Sequence, residues 1–326
     1  MIYSKRVMTN HFNLFRSGLF LLLVSCSLLL SVSCQSGPDD TIVPEGQSTI
    51  TFSVSNYRQI SFDDLSRAGT TRADVPSNHP STLAHLVVAV FDAETGEQAL
   101  SPILHDYVDY ETNPSAYPQF SVTLPYGHYR VLVLGYNGSR ACNIASFSHI
   151  SWEDDYVPNT FLYCGEFTLN EDTELTKEVT LKHVVAAFRV TAEDAIPSEM
   201  KKIRFRSTAG GTVLNATTGL ATENTGKTSD IEIPASNIGK QGVFLTTYLF
   251  LPEEQITTNY TVQALGKNDA LINEKHFNDV PLRINYLTEW TGKLFEASDD
   301  VEPSGVQRGF SIEWDTKWAG TLPIEP

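Results

Sequence analysis

Cysteine, basic charge and helical periodicity are scarce in this chain of 326 residues, and each shortage excludes something. Only four cysteines occur, Cys26, Cys34, Cys142 and Cys164. The last two form no CxxC and have no histidine at zinc-ligand spacing, which removes a thioredoxin-like redox motif and a structural zinc site. Outside the cytoplasm Cys142 and Cys164 can bridge, although two separate buried thiols are the expected arrangement, because sequence does not tell whether their Cα atoms come within ~7 Å. There is no Gly-x-Ser-x-Gly elbow, no Walker loop and no His-Glu-x-x-His, so the sequence points away from an enzyme and calls for no cofactor or metal. No amphipathic helix of ordinary length stands out. Glu193–Met200 suits a single turn, and Ala145–Asp155 a short helix or a loop.

The basic residues that do occur are unevenly placed. Lys5, Arg6 and Arg16 precede an apolar run from Gly18 to Leu30, and Ser31-Val32-Ser33-Cys34 closes it. Charge, then apolar residues, then small residues is the order of a secretory signal. The run is shorter than the ~20 residues that a spanning helix needs. A cysteine at its end marks a lipoprotein. Cys34 uses the whole apolar run and leads into the polar Gln35–Asp40, whereas Cys26 stands in a closer lipobox, Leu23-Val24-Ser25-Cys26, but would leave leucines on the mature end. Cys34 is the preferred lipidation site and Cys26 the alternative. Acyl chains on such a cysteine hold a protein on the outer membrane, each buried methylene contributing ~0.8 kcal/mol.

Taking residues 1–33 away removes those three basic residues and no acidic one, so the formal charge moves from −16 to −19. A surface so acidic repels nucleic acid, which is excluded as a partner.

What is abundant is period-two alternation. Ile50, Phe52 and Val54 alternate with polar residues, as do Phe120, Val122 and Leu124, then Tyr260, Val262 and Ala264, then Phe310, Ile312 and Trp314. Such segments are strands with one buried face. Leu86–Phe91, Val131–Leu134, Val184–Val190 and Val243–Leu251 are apolar on both faces and suit central strands. Asp92–Glu97 and Pro125–Gly127 read as turns, with Gly96 and Gly127 supplying positive φ. Many short strands between turns give an all-β fold of sandwich type. The division expected is a signal peptide at 1–33, a tether at 34–48, one sandwich at 49–182 and a second at 183–326.

Few residues invite a chemical reading. His85 and His183 sit within apparent strands and read as hydrogen-bonded packing residues. Asp92, Glu94 and Glu97 resemble part of a calcium loop, but Gly96 comes one position early for it, and an acidic hairpin turn fits better. Trp152–Tyr156 could face a sugar, although rings tucked under an exposed loop are commoner. Arg67 and Arg72 lie in a stretch with loop composition, Leu65–Asn78, where proteases cut.

Several segments, in order, resemble the fimbrillins of type V pili in Gram-negative anaerobes, and most of all their minor, anchor-type subunit. They are Leu86–Gly96, Tyr126–Asn137 with its Gly-Tyr-Asn ending, Val179–Val190, Val280–Phe295 and Gly309–Trp318. Within the fourth, Asn285-x-x-Thr288-x-x-x-Gly292-x-Leu294-Phe295 is the most distinctive. The resemblance implies two transthyretin-like β-sandwiches and assembly by strand donation. Phe310, Ile312 and Trp314 would be the donor strand, and Arg72 or Arg67 the place where a stalk subunit is trimmed. The implied partners are other fimbrial subunits, the outer membrane through the lipid, and a host or bacterial surface ligand. A glycan-binding surface lipoprotein is the alternative, and it requires aromatic rings gathered on one exposed face.

Overall fold

The computed structural model describes residues 46–55, 83–171 and 176–296. Cys26, Cys34, Arg67, Arg72, Phe310, Ile312 and Trp314 lie outside them. The fold is all-β. Its first half holds β1 (Gln47–Ser55), β2 (His85–Asp92), β3 (Gln98–Asp106), a short helix α1 (Tyr107–Thr112), β4 (Gln119–Pro125), β5 (Gly127–Asn137), β6 (Cys142–Ser146), β7 (His149–Trp152), β8 (Asn159–Leu169), β9 (Thr176–Thr180) and β10 (Lys182–His183). The second half holds β11 (Ala186–Ala192), β12 (Lys202–Ser207), β13 (Leu214–Asn215), β14 (Leu220–Ala221), β15 (Lys227–Glu232), β16 (Val243–Leu249), β17 (Gln255–Leu265), β18 (Leu271–Arg283) and β19 (Leu287–Gly292).

The halves repeat one topology. In each, the first strand (β1, β11) lies in the middle of a three-stranded sheet, antiparallel to one neighbour (β4, β16) and parallel to the last strand (β9, β19). The facing sheet runs β3-β2-β5-β8 in the first half, where β10 extends it, and β15-β12-β17-β18 in the second. Alternating side chains from the two sheets of a half meet in one core, as the hydrophobic faces of a sandwich must. In the first half Phe52, Val88, Val122, Val131 and Phe167 meet there. In the second, Phe188, Ile203, Leu245, Val262 and Phe277 do.

The repetition reaches individual rings. Phe52 meets Phe167 edge-on with centroids 5.3 Å apart, and Phe188 meets Phe277 edge-on at 5.5 Å. The tyrosines depart from it: Tyr129 stacks on Phe167, whereas its counterpart Tyr260 stacks on Phe188, the counterpart of Phe52. The sequence carries the same echo. Tyr129-x-Val131-x-Val133-Leu134-Gly135-x-Asn137 in β5 matches Tyr260-x-Val262-x-Ala264-Leu265-Gly266-x-Asn268 at β17.

Two insertions join the halves. The β6–β7 hairpin interrupts the first half between β5 and β8, and β13–β14 interrupts the second between β12 and β15. They pair where Leu214 faces Ile150, making one four-stranded sheet, β14-β13-β7-β6. A third core, with Val87, Phe91, Leu132 and Trp152 from one half and Val185, Leu214, Phe250 and Leu287 from the other, packs with it. This contact explains why β2 and β5 are apolar on both faces: each contributes alternate residues to two cores.

Glu193–Met200 carries the single turn expected, closed by the Met200 N–H donating to the Pro197 carbonyl at 3.1 Å. Three expectations need correction. Ala145–Asp155 is the end of β6, then β7 and a single 3₁₀ turn. Pro125–Gly127 is a corner between two sheets, and Gly127 does not have positive φ. Val243–Leu251 gives β16, an edge strand whose second apolar face is covered by the other half through Tyr248 and Phe250. The helix α1 has no counterpart in the sequence expectations; Asp106 caps it by accepting from the N–H groups of Val108 and Asp109, and Asp109 accepts from the N–H of Asp106.

One buried cation stands out. Lys227, at the start of β15, donates through Nζ to the Tyr248 carbonyl at 3.0 Å, and burial pushes its pKa down to about 7. The folded value lies below the unfolded one, so the unfolded chain binds more protons between pH 7 and 10.5 and stability rises with pH across that window. Lys227→Met keeps the side-chain length and removes the charge. It should stabilise the protein at and below neutral pH by about 2–3 kcal/mol, the desolvation gain less the lost bond to the carbonyl. Urea titrations at pH 6 and pH 10 check this: the gain should shrink at the higher pH, and a variant less stable than wild type at pH 6 would refute it.

Candidate functional site

The strongest candidate is the slot that β1 occupies. Along one edge, Gln47–Ser53 pairs antiparallel with Pro125–Gln119; along the other, Thr51–Ser55 pairs parallel with Thr176–Thr180. A middle strand therefore uses backbone groups on both sides. Ile50, Phe52 and Val54 point inward and are buried, Phe52 completely. Thr49 and Thr51 point outward, where their hydroxyls pair with those of Thr123 at 2.7 Å and Ser121 at 2.8 Å.

The strand is held at both ends. At its start, the Tyr126 N–H donates to the Gly46 carbonyl, and Gly46 lies against the Tyr126 ring with φ of 149°. A Cβ there would come within 2.3 Å of that ring, so only glycine fits. Near its end, the Val54 N–H donates to the Pro118 carbonyl at 2.8 Å. No residue of β1 is charged. β1 is held in this slot by backbone pairing on both sides and by three apolar anchors, with no charge of its own.

The sequence brings β1 and β9 together from opposite ends of the first half. Between β1 and β2 runs the stretch that contains Arg67 and Arg72, so one cut there would leave β1 joined to the sandwich only by non-covalent contacts. The middle strand of the second half has no such freedom, since the chain enters β11 directly from β10.

The remaining candidates resolve into packing. Asp92 turns its carboxylate onto its own loop: Oδ1 accepts from the N–H groups of Glu94 at 2.9 Å and Thr95 at 2.7 Å and from the Thr95 hydroxyl at 3.1 Å. The Thr95 N–H and its companions hold that carboxyl below the usual range. Trp152 is buried, stacked on Phe250 and edge-on to Tyr136. Among the described side chains no Phe, Tyr or Trp is exposed, so the aromatic face that glycan binding requires is not formed by them. Cys142 and Cys164 are both free, Cys142 on β6 and Cys164 on β8, each against the core between the halves. Burial pushes the Cys142 thiol up to about 12 and raises that of Cys164. Among the described residues no group of His, Cys, Asp or Glu could hold a metal, and no helix is long and apolar enough to cross a membrane.

His85 stacks on Tyr136 and pairs through Nε2 with the Gly138 carbonyl at 2.9 Å. His183 is more consequential. Its Nδ1 faces Asn285 Oδ1 at 2.9 Å and its Nε2 faces Asn159 Oδ1, which places it between the halves. Burial pushes its pKa down to about 4. Sequence reasoning also missed Asp194, whose carboxylate accepts from three successive N–H groups, those of Leu294, Phe295 and Glu296. Only its partners carry a signal, since Leu294 and Phe295 belong to the most distinctive of the resembling segments; Asp194 itself lies in none of them.

A family model described as a family of unknown function (DUF6562) matches residues 40–323. None of the curated proteins matches the chain. Among solved structures, a candidate adhesin from Bacteroides ovatus is 12% identical, with 77% of this chain and 88% of that one covered at a TM-score of 0.41. The fimbrial anchor protein Mfa2 from Porphyromonas gingivalis is 13% identical over 70% of this chain and 81% of its own, at 0.35. The tip fimbrial protein Mfa3 of the same organism, with a C-terminal truncation, is 11% identical over 75% and 94%, at 0.36. Likenesses of this size are of general build.

Proposed function

We propose that the chain, which belongs to that family of unknown function, is a structural subunit of a cell-surface fimbria, held on the outer membrane by acyl chains at Cys34 and joined to other subunits by strand exchange. The observation that supports this best is the β1 slot: a middle strand with three inward anchors and no charge. Strand addition uses this chemistry, in which the supplied strand satisfies backbone groups on both sides while its alternate side chains fill pockets. The ordered fimbrillin-like segments and the lipoprotein leader point the same way.

Within that reading the chain is the anchor. β1 stays in its own slot, and the lipid stays joined to it, because the segment from Cys34 to Gln47 can extend no further than ~45 Å and would tether the sandwich close to the membrane. The alternate residues Phe310, Ile312 and Trp314 then serve a neighbour, while Arg72 remains uncut. A shaft subunit would instead be cut after Arg72 and would lose both lipid and strand.

Mass spectrometry of the mature N-terminus from intact cells tests this. An acylated N-terminal Cys34 is expected. A chain starting at Ala73 would make it a shaft subunit, and an acylated Cys26 would move the anchoring point. Truncation before Gly309 should leave a folded, membrane-bound protein that no longer carries fibre; fibre retained on that truncated protein would remove strand donation.

A further inference from the structure

The two halves differ in the path of the chain beyond their last strand. In the first, the chain leaving β9 passes through β10, where Lys182 pairs with Leu162 and His183 with Phe161, and then enters β11, the middle strand of the next sheet. Register extends the comparison to the second half. Val54 pairs with Val179 and Val190 with Trp290, so Lys182 and Lys293 each stand three residues past equivalent pairs. Val133 pairs with Tyr163 and Ala264 with Asn273, so Asn273 stands one residue past the equivalent of Leu162.

At that place the outgoing chain is held firmly. Asp194 is buried just after β11; its Oδ1 accepts from the Leu294 N–H at 2.8 Å, and its Oδ2 accepts from those of Phe295 at 2.6 Å and Glu296 at 2.8 Å. Asn273 Nδ2 donates to the carbonyls of Leu294 at 2.7 Å and Glu296 at 3.2 Å. The Glu193 N–H donates to the Gly292 carbonyl at 2.9 Å, and the Leu294 and Phe295 side chains enter the second core.

We infer that Asp194 and Asn273 form a clamp that fixes where and in what direction the C-terminal segment leaves the fold, and that this clamp positions the segment for insertion into a second subunit. The inference rests on the strand-exchange reading. Burial of Leu294 and Phe295 keeps these backbone groups from water, so they need partners within the protein, and Asp194 supplies them in a way that fixes the path of the backbone as well as the side chains. Three successive N–H groups on one buried carboxylate is a costly arrangement to build, and what it secures is direction. A donor strand with a fixed root searches a smaller volume, which raises its effective concentration at the acceptor. The first half contains the covalent counterpart, an outgoing segment held against β8 that delivers the next middle strand.

The test uses the full-length, membrane-bound protein. Asp194→Asn keeps the shape and loses charge and acceptor capacity. Amide exchange at Leu294, Phe295 and Glu296 should quicken by about 100-fold or more, β1 should stay protected, and retained partner subunits should fall at least about tenfold. Asn273→Ala should do the same more weakly, and it serves if Asp194→Asn does not fold. Unchanged exchange would overturn the clamp. Faster exchange with wild-type partner retention would overturn its positioning role. A deletion of 309–326 separates the two ideas: if the deleted chain still retains partners, strand exchange itself fails; if it loses them while Asp194→Asn keeps them, only the clamp inference fails.

Discussion

A chain lacking residues 46–55 is expected not to reach the native fold unaided, and to regain it when a peptide of sequence Gln47–Ser55 is supplied. The deletion removes the middle of a three-stranded sheet, not an edge. β4 and β9 do not pair with each other, so both lose their partner at once. Ile50, Phe52 and Val54 leave pockets in the core, and each buried side chain of this size contributes ~1.5–3 kcal/mol. Against a net stability of about 5–15 kcal/mol for a folded domain, that loss alone is decisive. The peptide restores both kinds of interaction together. Its Phe52→Ala version should bind at least ~100-fold more weakly, since truncating a buried Phe costs about 3–5 kcal/mol. Because β1 is uncharged, affinity should depend little on salt. Fluorescence titration of the deleted chain with each peptide checks this. A deleted chain that folds without peptide, or that responds equally to both peptides, would show that the slot is not a strand-binding site.

Much of this is legible in the sequence, for a physical reason. A strand with one buried face must alternate, so Ile50, Phe52 and Val54 and the Tyr260–Ala264 pattern are readable as strands without a structure. Where a strand contributes to two cores, alternation vanishes, and Leu86–Phe91 shows only that it is buried on both faces, not by what. The partners are the β6–β7 and β13–β14 insertions together with Val185, Phe250 and Leu287 of the other half, and strands as short as β13 and β14 carry too few residues for a pattern. The duplication is visible in Tyr129–Asn137 and Tyr260–Asn268, but beyond the Asn137 and Asn268 that close the pattern its two copies share mainly buried residues. The clamp at Asp194 is not readable, because it joins residues a hundred positions apart and an isolated aspartate has no sequence signature. His183 reads as a packing residue, and it is one; its place between the halves comes only with the fold.

That place gives the second large effect. Between pH 6.5 and pH 4 the wild-type protein should lose roughly 3 kcal/mol of stability that His183→Gln does not lose. The imidazole lies between Asn285 and Asn159, with its ring stacked on Phe161 at 4.3 Å and the Asn285 N–H donating to the Val185 carbonyl at 2.9 Å. Neutral, the ring donates from one nitrogen and accepts at the other, so one of the two amides must turn its NH₂ toward it. Protonation would make both nitrogens donors and place a charge in a site that burial keeps free of water, which is why the pKa falls from 6.5 to about 4. A base whose folded value is depressed is bound to more protons when unfolded. Stability is therefore fully present above pH 6.5, declines as pH falls through the window, and changes no further below 4 on this account. The glutamine side chain that replaces the imidazole can still bond to both asparagines but does not titrate. Subtracting the variant's pH–stability curve from that of wild type cancels the carboxylates common to both. Amide exchange should show the acid loosening first at β10, the start of β11 and the Asn285 turn, where the halves meet. Parallel curves for the two proteins would mean that His183 is already protonated in the fold or is reached by water, and that the junction between the halves is not acid-sensitive through this residue.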